Sequence, residues 1–268
     1  MTTSVTAAVA QFAPGEDKDV NLEAIRGHVT EAATQGANLV VFPEYAMFTA
    51  STMDERFLGS AEPLDGPFVS ALRELARREA VTIVAGMNET TDGAEQIHNT
   101  LLAIDDGGEV AATYRKVHLY DAFGYTESDV VRAGEIATPQ TFTVGALTFG
   151  MQTCYDLRFP ESTRRLVDAG ADVVLIPAEW VPGPLKENHW TTLVRARAIE
   201  NTVYVAAADQ CGRFGAGNSM IVDPMGVVLA SLGEDSGVVS ATLSPDRIEQ
   251  VRQKNPALTL RRFTVVER

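Results

Sequence analysis

Cysteine and histidine are scarce in this sequence. Its 268 residues include two cysteines, Cys154 and Cys211, and four histidines. So few cysteines favour a reducing, cytoplasmic compartment over a disulfide-rich secreted fold. No Cys-x-x-Cys occurs and no two histidines have the spacing of metal ligands, so the sequence predicts no zinc site.

Lysine and arginine are also few relative to aspartate and glutamate. The 22 lysines and arginines are outnumbered by 36 aspartates and glutamates, which leaves a net charge of −14. This balance argues against nucleic acid and anionic membranes as partners. No apolar run is as long as a membrane span, and the first residues lack the basic and apolar regions of a signal peptide. We therefore expect a protein that binds neither nucleic acid nor membrane.

Strand and helix patterns alternate along the chain, with hairpins between some of them. The hydrophobic fraction of 45% and the charged fraction of 22% are typical of a soluble globular protein. There is no internal repeat of solenoid length, no low-complexity linker and no break in composition. The sequence predicts a single domain over residues 1–268, of the α/β class, with mixed sheets and helices on their outer faces.

Residues 146–161, ALTFGMQTCYDLRFPE, are the most informative stretch of the chain. A buried strand is predicted to end near Cys154, and Pro160 has the fixed φ that suits the first turn of a helix. A nucleophile on such a strand-to-helix turn is exposed and rigidly held, and the following backbone N–H groups could stabilise an oxyanion. The alternative is that Cys154 is a buried core thiol.

Two charged residues also follow predicted strands. Glu44 comes directly after the apolar strand at residues 38–42, which places its carboxylate at the carboxyl edge of a sheet. Lys116 ends the second arm of a predicted hairpin. Glu44 could instead be a helix cap or a surface acid, and Lys116 a solvated edge charge. Beside Glu44 and Cys154, Lys116 would stay protonated and stabilise a thiolate or an oxyanion.

A thiol needs a base or a positive environment to act as a nucleophile at neutral pH. His118 and His189 are the histidine candidates for that base, but neither has the flanking residues of papain-like proteases. No Gly-x-Ser-x-Gly serine hydrolase motif is present either. Glutamate and lysine are the remaining polar residues at strand ends, although a Cys–His thiol hydrolase stays open as an alternative.

Several motifs, in order along nearly the full length of the chain, resemble those of carbon–nitrogen hydrolases of the nitrilase superfamily. The three that contain Glu44, Lys116 and Cys154 are VVFPEY, YRKVHLYD and TCYDLRFPE. Supporting stretches are AVAQFAP, HW…VRARAIENTVYVAAADQCG and GNSMIVDPMG. Any one of these motifs would be a weak signal, but three catalytic motifs in family order are a strong one.

The resemblance implies a four-layer α-β-β-α sandwich and pairing of chains into a homodimer or a higher homo-oligomer. It implies a catalytic triad of Glu44, Lys116 and Cys154. A second glutamate is typical between the lysine and the cysteine, and Glu127 in the stretch YTESD matches it. We expect Glu127 to orient Lys116, and no metal or organic cofactor to be required.

The chemistry implied by the resemblance is hydrolysis of a small amide. Glu44 would take the Cys154 proton, and the thiolate would attack the amide carbonyl. Lys116 and the backbone N–H of Tyr155 would hold the oxyanion. Ammonia would leave, and water would release a carboxylic acid from the thioester. Hydrolysis of an N-carbamoyl compound or a nitrile by the same triad is the alternative within the family.

The stretch CYDLRFPE resembles the amidase branch near the omega-amidase and deaminated-glutathione-amidase groups. Arg158 could hold a substrate carboxylate bidentately, or could brace the turn through a salt bridge to Glu161. Trp180 could line the substrate pocket or pack in the core. The segment EWVPGPLKENHW departs from the pattern of those amidases where the substrate should be recognised. The acyl group is therefore left open.

Overall fold

The computed structural model describes residues 4–93 and 95–267. Over these residues the chain forms twelve β-strands and six α-helices. The strands are β1 (Val5–Gln11), β2 (Leu39–Val41), β3 (Thr82–Thr90), β4 (Ile97–Ile104), β5 (Val110–Arg115), β6 (Thr141–Val144), β7 (Leu147–Met151), β8 (Val173–Ala178), β9 (Tyr204–Asp209), β10 (Met220–Val222), β11 (Val228–Ser231) and β12 (Gly237–Leu243). The helices are α1 (Lys18–Thr34), α2 (Glu55–Ser60), α3 (Pro67–Glu79), α4 (Pro160–Asp168), α5 (Lys186–Asn201) and α6 (Pro245–Lys254).

The strands form two six-stranded sheets with the same pattern of directions. The first has the order β12-β1-β2-β3-β4-β5, and the second has the order β11-β10-β9-β8-β7-β6. In the first sheet β1, β2 and β3 are parallel, and in the second β7, β8 and β9 are parallel. Antiparallel strands extend both sides of each parallel triplet. Each sheet therefore has a parallel centre and antiparallel edges.

Three buried apolar clusters hold the layers together. One lies between the two sheets and contains side chains from both, such as Val41 and Leu175. A second joins the outer face of the first sheet to α1 and α3. A third joins the outer face of the second sheet to α4 and α5 through residues that include Leu166 and Val194. This layering confirms the α-β-β-α sandwich that the family resemblance implied.

The carboxyl ends of parallel strands converge at one edge of this sandwich, where polar residues follow the buried β2, β7 and β8. The sequence predicted a turn at Cys154 and a helix from Pro160, and both are present. A 3₁₀ helix at Cys154–Arg158 comes first, and α4 begins at Pro160. In the described part of the chain, no helix has the length and apolarity needed to cross a membrane.

Candidate active site

Four side chains that the sequence singled out meet at this edge. Glu44 follows β2, Lys116 follows β5, Cys154 follows β7, and Glu127 begins a short 3₁₀ helix at Glu127–Asp129. They are only 1%, 2%, 7% and 4% exposed, respectively. Such burial is incompatible with a surface acid at Glu44 or a solvated edge charge at Lys116. Buried charges persist in proteins when they are paired, so their contacts with one another explain how they are tolerated.

Lys116 is the centre of the charge network. Its Nζ lies 2.8 Å from Oε1 of Glu44 and 2.8 Å from Oε2 of Glu127. Burial alone would lower the pKa of Lys116, but the negative charges of Glu127 and Glu44 outweigh it and raise the pKa well above its ordinary value. The ammonium therefore stays protonated at neutral pH and remains a fixed positive charge in the site.

Two residues that the sequence did not single out complete this network. Asn99, on β4, donates from Nδ2 to Oε1 of Glu44 at 2.6 Å and to Oε1 of Glu127 at 3.2 Å. The hydroxyl of Tyr45 donates to Oε1 of Glu127 at 2.7 Å. Asn99 is a buried amide in a strand that is otherwise mostly apolar, IHNTLLAI, and that contrast is the signal by which it could have been found.

The turn after β2 depends on a glycine in the neighbouring strand. Tyr45 has a φ of +54°, in the left-handed region that side chains other than glycine seldom adopt. A Cβ at Gly86 of β3 would lie 2.6 Å from the backbone nitrogen of Tyr45 and 3.0 Å from Cα of Glu44. Gly86 therefore permits the close approach that fixes the Glu44 carboxylate.

Cys154 sits in a constrained turn. Its φ is +43°, and the turn is held because Asp156 accepts a hydrogen bond from the backbone N–H of Thr153 at 2.9 Å. The thiol lies 3.6 Å from the backbone oxygen of Glu179. Burial, the negative charge of Glu44 and a hydrogen bond to that carboxylate all raise the pKa of Cys154 well above its ordinary value. The resting sulfur is therefore a neutral thiol with a carboxylate beside it.

The histidines are engaged away from the thiol. Nδ1 of His118 is 2.7 Å from Oδ1 of Asp156, and its ring stacks on Phe159 with 3.8 Å between the centroids. His189 lies near Arg158, with 3.4 Å between its Nδ1 and the guanidinium nitrogen. In the described part of the chain, neither ring forms a hydrogen bond or an ion pair with Cys154, so this geometry does not support a Cys–His hydrolase.

A cavity of about 120 Å³ opens beside these groups. The four singled-out side chains line it, together with Glu179, which the sequence did not single out. Further wall residues include Tyr45, Phe57, Tyr120, Tyr125, Arg213 and Phe214. The cavity therefore combines charged groups with walls that include several aromatic rings, as expected of a site for a small polar molecule.

The three residues expected to bind substrate occupy a neighbouring position. The Arg158 guanidinium lies 4.8 Å from the ring centroid of Trp180, and Trp180 is only 2% exposed. Tyr155 packs edge-on against Tyr120, which lines the cavity. None of the three is itself among the lining residues that the structure describes. Trp180 is thus a buried support for Arg158, and no ion pair between Arg158 and Glu161 is formed among the described residues.

No candidate metal centre accompanies the cavity. Over residues 4–93 and 95–267, no group of three or more histidine, cysteine, aspartate or glutamate side chains is arranged to hold a metal ion. The charge that compensates Glu44 and Glu127 comes from the Lys116 ammonium instead.

Comparisons with known proteins agree with this arrangement. The profile of the carbon–nitrogen hydrolase family matches residues 6–253. Deaminated glutathione amidase of Escherichia coli O157:H7 is 38% identical over 257 residues, which are 96% of this chain and 97% of that protein. Saccharomyces cerevisiae Nit3, a member of branch 10 of the nitrilase superfamily, is 29% identical, with a TM-score of 0.86 over 97% of both chains. A Nesterenkonia sp. AN1 amidase variant, whose active-site cysteine carries the acetamide moiety of fluoroacetamide, is 28% identical, with a TM-score of 0.80 over 97% of both chains.

Proposed function

The chain belongs to the carbon–nitrogen hydrolase family and is an enzyme that hydrolyses an amide C–N bond, and from this premise we propose that Cys154 is its nucleophile. In this proposal Glu44 is the general base and Lys116 stabilises the oxyanion. The products are ammonia and a carboxylic acid, formed through a thioester on Cys154.

The first half of the reaction forms the thioester. Glu44 takes the thiol proton of Cys154 while the sulfur attacks the amide carbonyl carbon. The carbonyl oxygen becomes an oxyanion, and Lys116 and the backbone N–H of Tyr155 donate hydrogen bonds to it. The protonated Glu44 then gives its proton to the amide nitrogen. The C–N bond breaks, ammonia leaves, and Glu44 is again a carboxylate.

The second half releases the acid. Glu44 takes a proton from a water molecule, and the resulting hydroxide attacks the thioester carbonyl. The same donors hold the second oxyanion, which collapses with cleavage of the C–S bond. The sulfur leaves as a thiolate and recovers a proton from Glu44. Glu127 remains bound to Lys116 throughout and keeps the ammonium aimed at the oxyanion position.

The observation that carries this proposal is the neutral thiol beside an ion-paired carboxylate. A thiol whose pKa is raised by burial and by Glu44 cannot act as a preformed thiolate at neutral pH. It needs a base at the moment of attack, and Glu44 is hydrogen bonded to it. Lys116, 2.8 Å from Glu44, supplies the charge that the oxyanion needs.

We propose that the substrate carries a carboxylate that binds Arg158. This guanidinium lies over Trp180 at 4.8 Å and over Phe123 at 5.7 Å. It pairs with no carboxylate among the residues that the structure describes. Guanidinium groups bind carboxylates bidentately, so a free one beside the catalytic turn suits an anionic amide. The relative from E. coli is named for a deaminated glutathione, which fits an amide of that kind.

We also propose that residues 1–268 act as one domain in a homodimer or a higher homo-oligomer in the cytoplasm. Both cysteines are free thiols, as is usual in a reducing compartment. Near the C-terminus, Leu260, Phe263 and Val266 are 68%, 89% and 80% exposed, and a second copy could cover them. Light scattering after gel filtration tests the association directly, and a monomeric mass would contradict it.

Ammonia release from a panel of amides tests the proposed function. The panel contains monoamides of dicarboxylic and 2-oxo-dicarboxylic acids, N-carbamoyl compounds and simple nitriles, each tested with the parent protein and with Cys154→Ala. We expect release from the carboxylate-bearing amides, which Cys154→Ala abolishes. Release from carbamoyl or nitrile compounds alone would keep the triad but contradict the proposed substrate. Release that persists in Cys154→Ala would contradict the proposed nucleophile.

A further inference from the structure

Two segments of the chain have similar sequences and the same place in the fold. Residues 36–45 read GANLVVFPEY, and residues 170–180 read GADVVLIPAEW. The first contains β2 and the second contains β8, which are the middle strands of the two parallel triplets. In each segment a proline, a glutamate and an aromatic residue follow the apolar run. Glu179 in the second segment is therefore the counterpart of Glu44 in the first.

Glu179 reaches the same cavity as Glu44. Its side chain is partly exposed and is one of the lining groups. Its backbone N–H donates to Oε2 of Glu44 at 2.8 Å, and its backbone oxygen lies 3.6 Å from the Cys154 sulfur. These two contacts fix the main chain of Glu179 beside the reacting groups, so its side chain is presented to whatever occupies the cavity.

The Glu179 carboxyl group has one polar partner among the described residues. The hydroxyl of Thr49 lies 3.1 Å from Oε2, and no hydrogen bond to Oε1 is formed there. Lys116 directs its hydrogen bonds to Glu44 and Glu127. Glu179 thus has no hydrogen-bonded cation of its own, and its second oxygen is left for a ligand.

The charges around Glu179 disfavour a further negative charge. The titratable and charged groups that surround it are Tyr45, Glu44, Lys116, Glu127, Cys154, Asp209 and, on the cavity wall, Tyr120, Tyr125 and Arg213. Burial first, and then the charge of Glu44, raise the pKa of Glu179 well above its ordinary value, although Thr49 and Lys116 oppose this rise. The single ammonium of Lys116 is already shared by two carboxylates.

We propose that Glu179 is a specificity-determining residue that presents a neutral carboxylic acid to the cavity and donates a hydrogen bond to an oxygen acceptor in the acyl part of the substrate. This inference rests on the proposed function, because it places the substrate in the cavity with Cys154. The substrate class it selects is an amide whose acyl chain carries a carbonyl or carboxylate oxygen near the reacting carbon. An ionised Glu179 would repel that oxygen.

Alkylation of Cys154 measures the charge of Glu179 without any amide substrate. Iodoacetamide is neutral and iodoacetate is an anion of similar size, so the ratio of their rates at Cys154 reports the charge of the cavity. We compare that ratio in the parent protein and in Glu179→Gln, with the Cys154 peptide quantified by mass spectrometry and Cys211 as an internal reference. The reactivity of the Cys154 thiol, which depends on Glu44, affects the rates of both reagents alike. It therefore cancels in the ratio.

At pH 7 we expect the iodoacetate-to-iodoacetamide ratio to be the same in the two proteins, because glutamine imitates a neutral acid. If Glu179 were ionised, Glu179→Gln would remove a negative charge near the sulfur and raise the ratio about tenfold. That result would overturn the proposal. Since the labelling requires no turnover, it remains informative even if no amide in the panel is hydrolysed.

Stability against urea gives a second test of the neutral acid. An unfolded glutamate is ionised above pH of about 4.3, whereas the folded Glu179 keeps its proton. Its stabilising contribution is therefore complete below that pH and is lost as the pH rises toward the folded pKa. We expect the urea midpoint of Glu179→Gln to exceed that of the parent protein by an amount that grows from pH 5 to pH 8. A constant or shrinking difference would contradict the proposal.

Kinetics on an amide that the panel identifies test the hydrogen bond itself. Glu179→Met, which has no donor, is expected to lose about fivefold in kcat/KM, the effect of one hydrogen bond. Glu179→Gln keeps a donor and is expected to recover most of that loss. Equal losses in the two variants, with both folded by circular dichroism, would mean that the side chain donates no hydrogen bond to the substrate.

Discussion

Residues 36–45 and 170–180 give the two sheets matching strand ends, yet their glutamates have different surroundings. Glu44 lies 2.8 Å from the Lys116 ammonium, whereas Glu179 has the Thr49 hydroxyl as its side-chain partner among the described residues. The first carboxylate is therefore held in an ion pair, and the second is pushed toward its neutral form. The difference teaches that the residue opposite a strand end, rather than the local sequence, decides whether a glutamate at this edge can serve as a base.

The largest loss of activity should come from replacing Glu44, the proposed base, while Glu179 is left unchanged. Glu44→Gln keeps the shape of the side chain but cannot accept the Cys154 proton, so kcat/KM should fall about a thousandfold or more. The matched control is Glu179→Gln, which keeps a donor and should lose far less. Ammonia release measures both. Similar losses in the two variants would erase the distinction between the glutamates.

Removal of the Lys116 ammonium, which Glu44 and Glu127 share, should destabilise the fold. Lys116→Met leaves the Glu44 and Glu127 carboxylates buried without a positive partner, and we expect the free energy of unfolding to fall by about 3 kcal/mol at pH 7. Because the pKa of Lys116 is raised in the folded state, its contribution is complete below the unfolded value of about 10.4 and is lost only as the pH rises beyond it.

The pH dependence sharpens the prediction for Lys116→Met. Between pH 7 and 9 the difference in unfolding free energy from the parent protein should stay large. It should shrink toward pH 5, where protonation removes the unpaired carboxylate charges. Urea unfolding followed by circular dichroism measures it. Equal stability of the two proteins at pH 7 would mean that the ion pairs of Lys116 do not contribute to the fold.

The aromatic residues after the two glutamates have different partners. The Tyr45 hydroxyl donates to Glu127, whereas the Trp180 ring lies under Arg158, which we assign to the substrate. Arg158→Met should raise KM for carboxylate-bearing amides about thirtyfold with little change in kcat, because a bidentate pair with the substrate is lost. A neutral amide of similar size serves as the control and should be unaffected. An equal rise in KM for both amides would indicate a structural role for Arg158.

The smallest of these effects concerns Tyr45, which follows Glu44. Tyr45→Phe removes the hydroxyl that donates to Glu127 at 2.7 Å, and we expect kcat/KM to fall about tenfold. Tyr204→Phe is a matched control, because the Tyr204 hydroxyl accepts from the backbone N–H of Ser244 in another part of the molecule. If both variants lose activity equally, the hydroxyl of Tyr45 does not position the network.

The residues that could be predicted from the sequence are those that lie in short sequence motifs. Glu44, Lys116 and Cys154 each lie at or near a strand end within a family motif, and the structure brings them together with Glu127. The four-layer sandwich was predicted by the same resemblance and is confirmed.

The supporting residues were missed because their roles depend on distant parts of the chain. Asn99 contributes only because β4 places its amide between two carboxylates from other segments. From the sequence alone, Glu179 is not distinguished from other acidic residues that follow strands. Its role becomes visible only in the structure, where it lines the same cavity as Glu44. The sequence left Trp180 open between the pocket wall and the core. The structure buries it in the core with Arg158 over its ring, a contact between segments that no local pattern contains.

The measurement that tests the central claim most directly is the mass of Cys154 during turnover. The enzyme is mixed with an amide that the panel identifies and is quenched in acid after a few milliseconds to seconds, and the peptide containing Cys154 is weighed. We predict an added acyl group on Cys154, lost on treatment with hydroxylamine and absent from Cys154→Ala. Ammonia release with no acyl group on Cys154 at any time point, or an acyl group on another residue, would contradict the account.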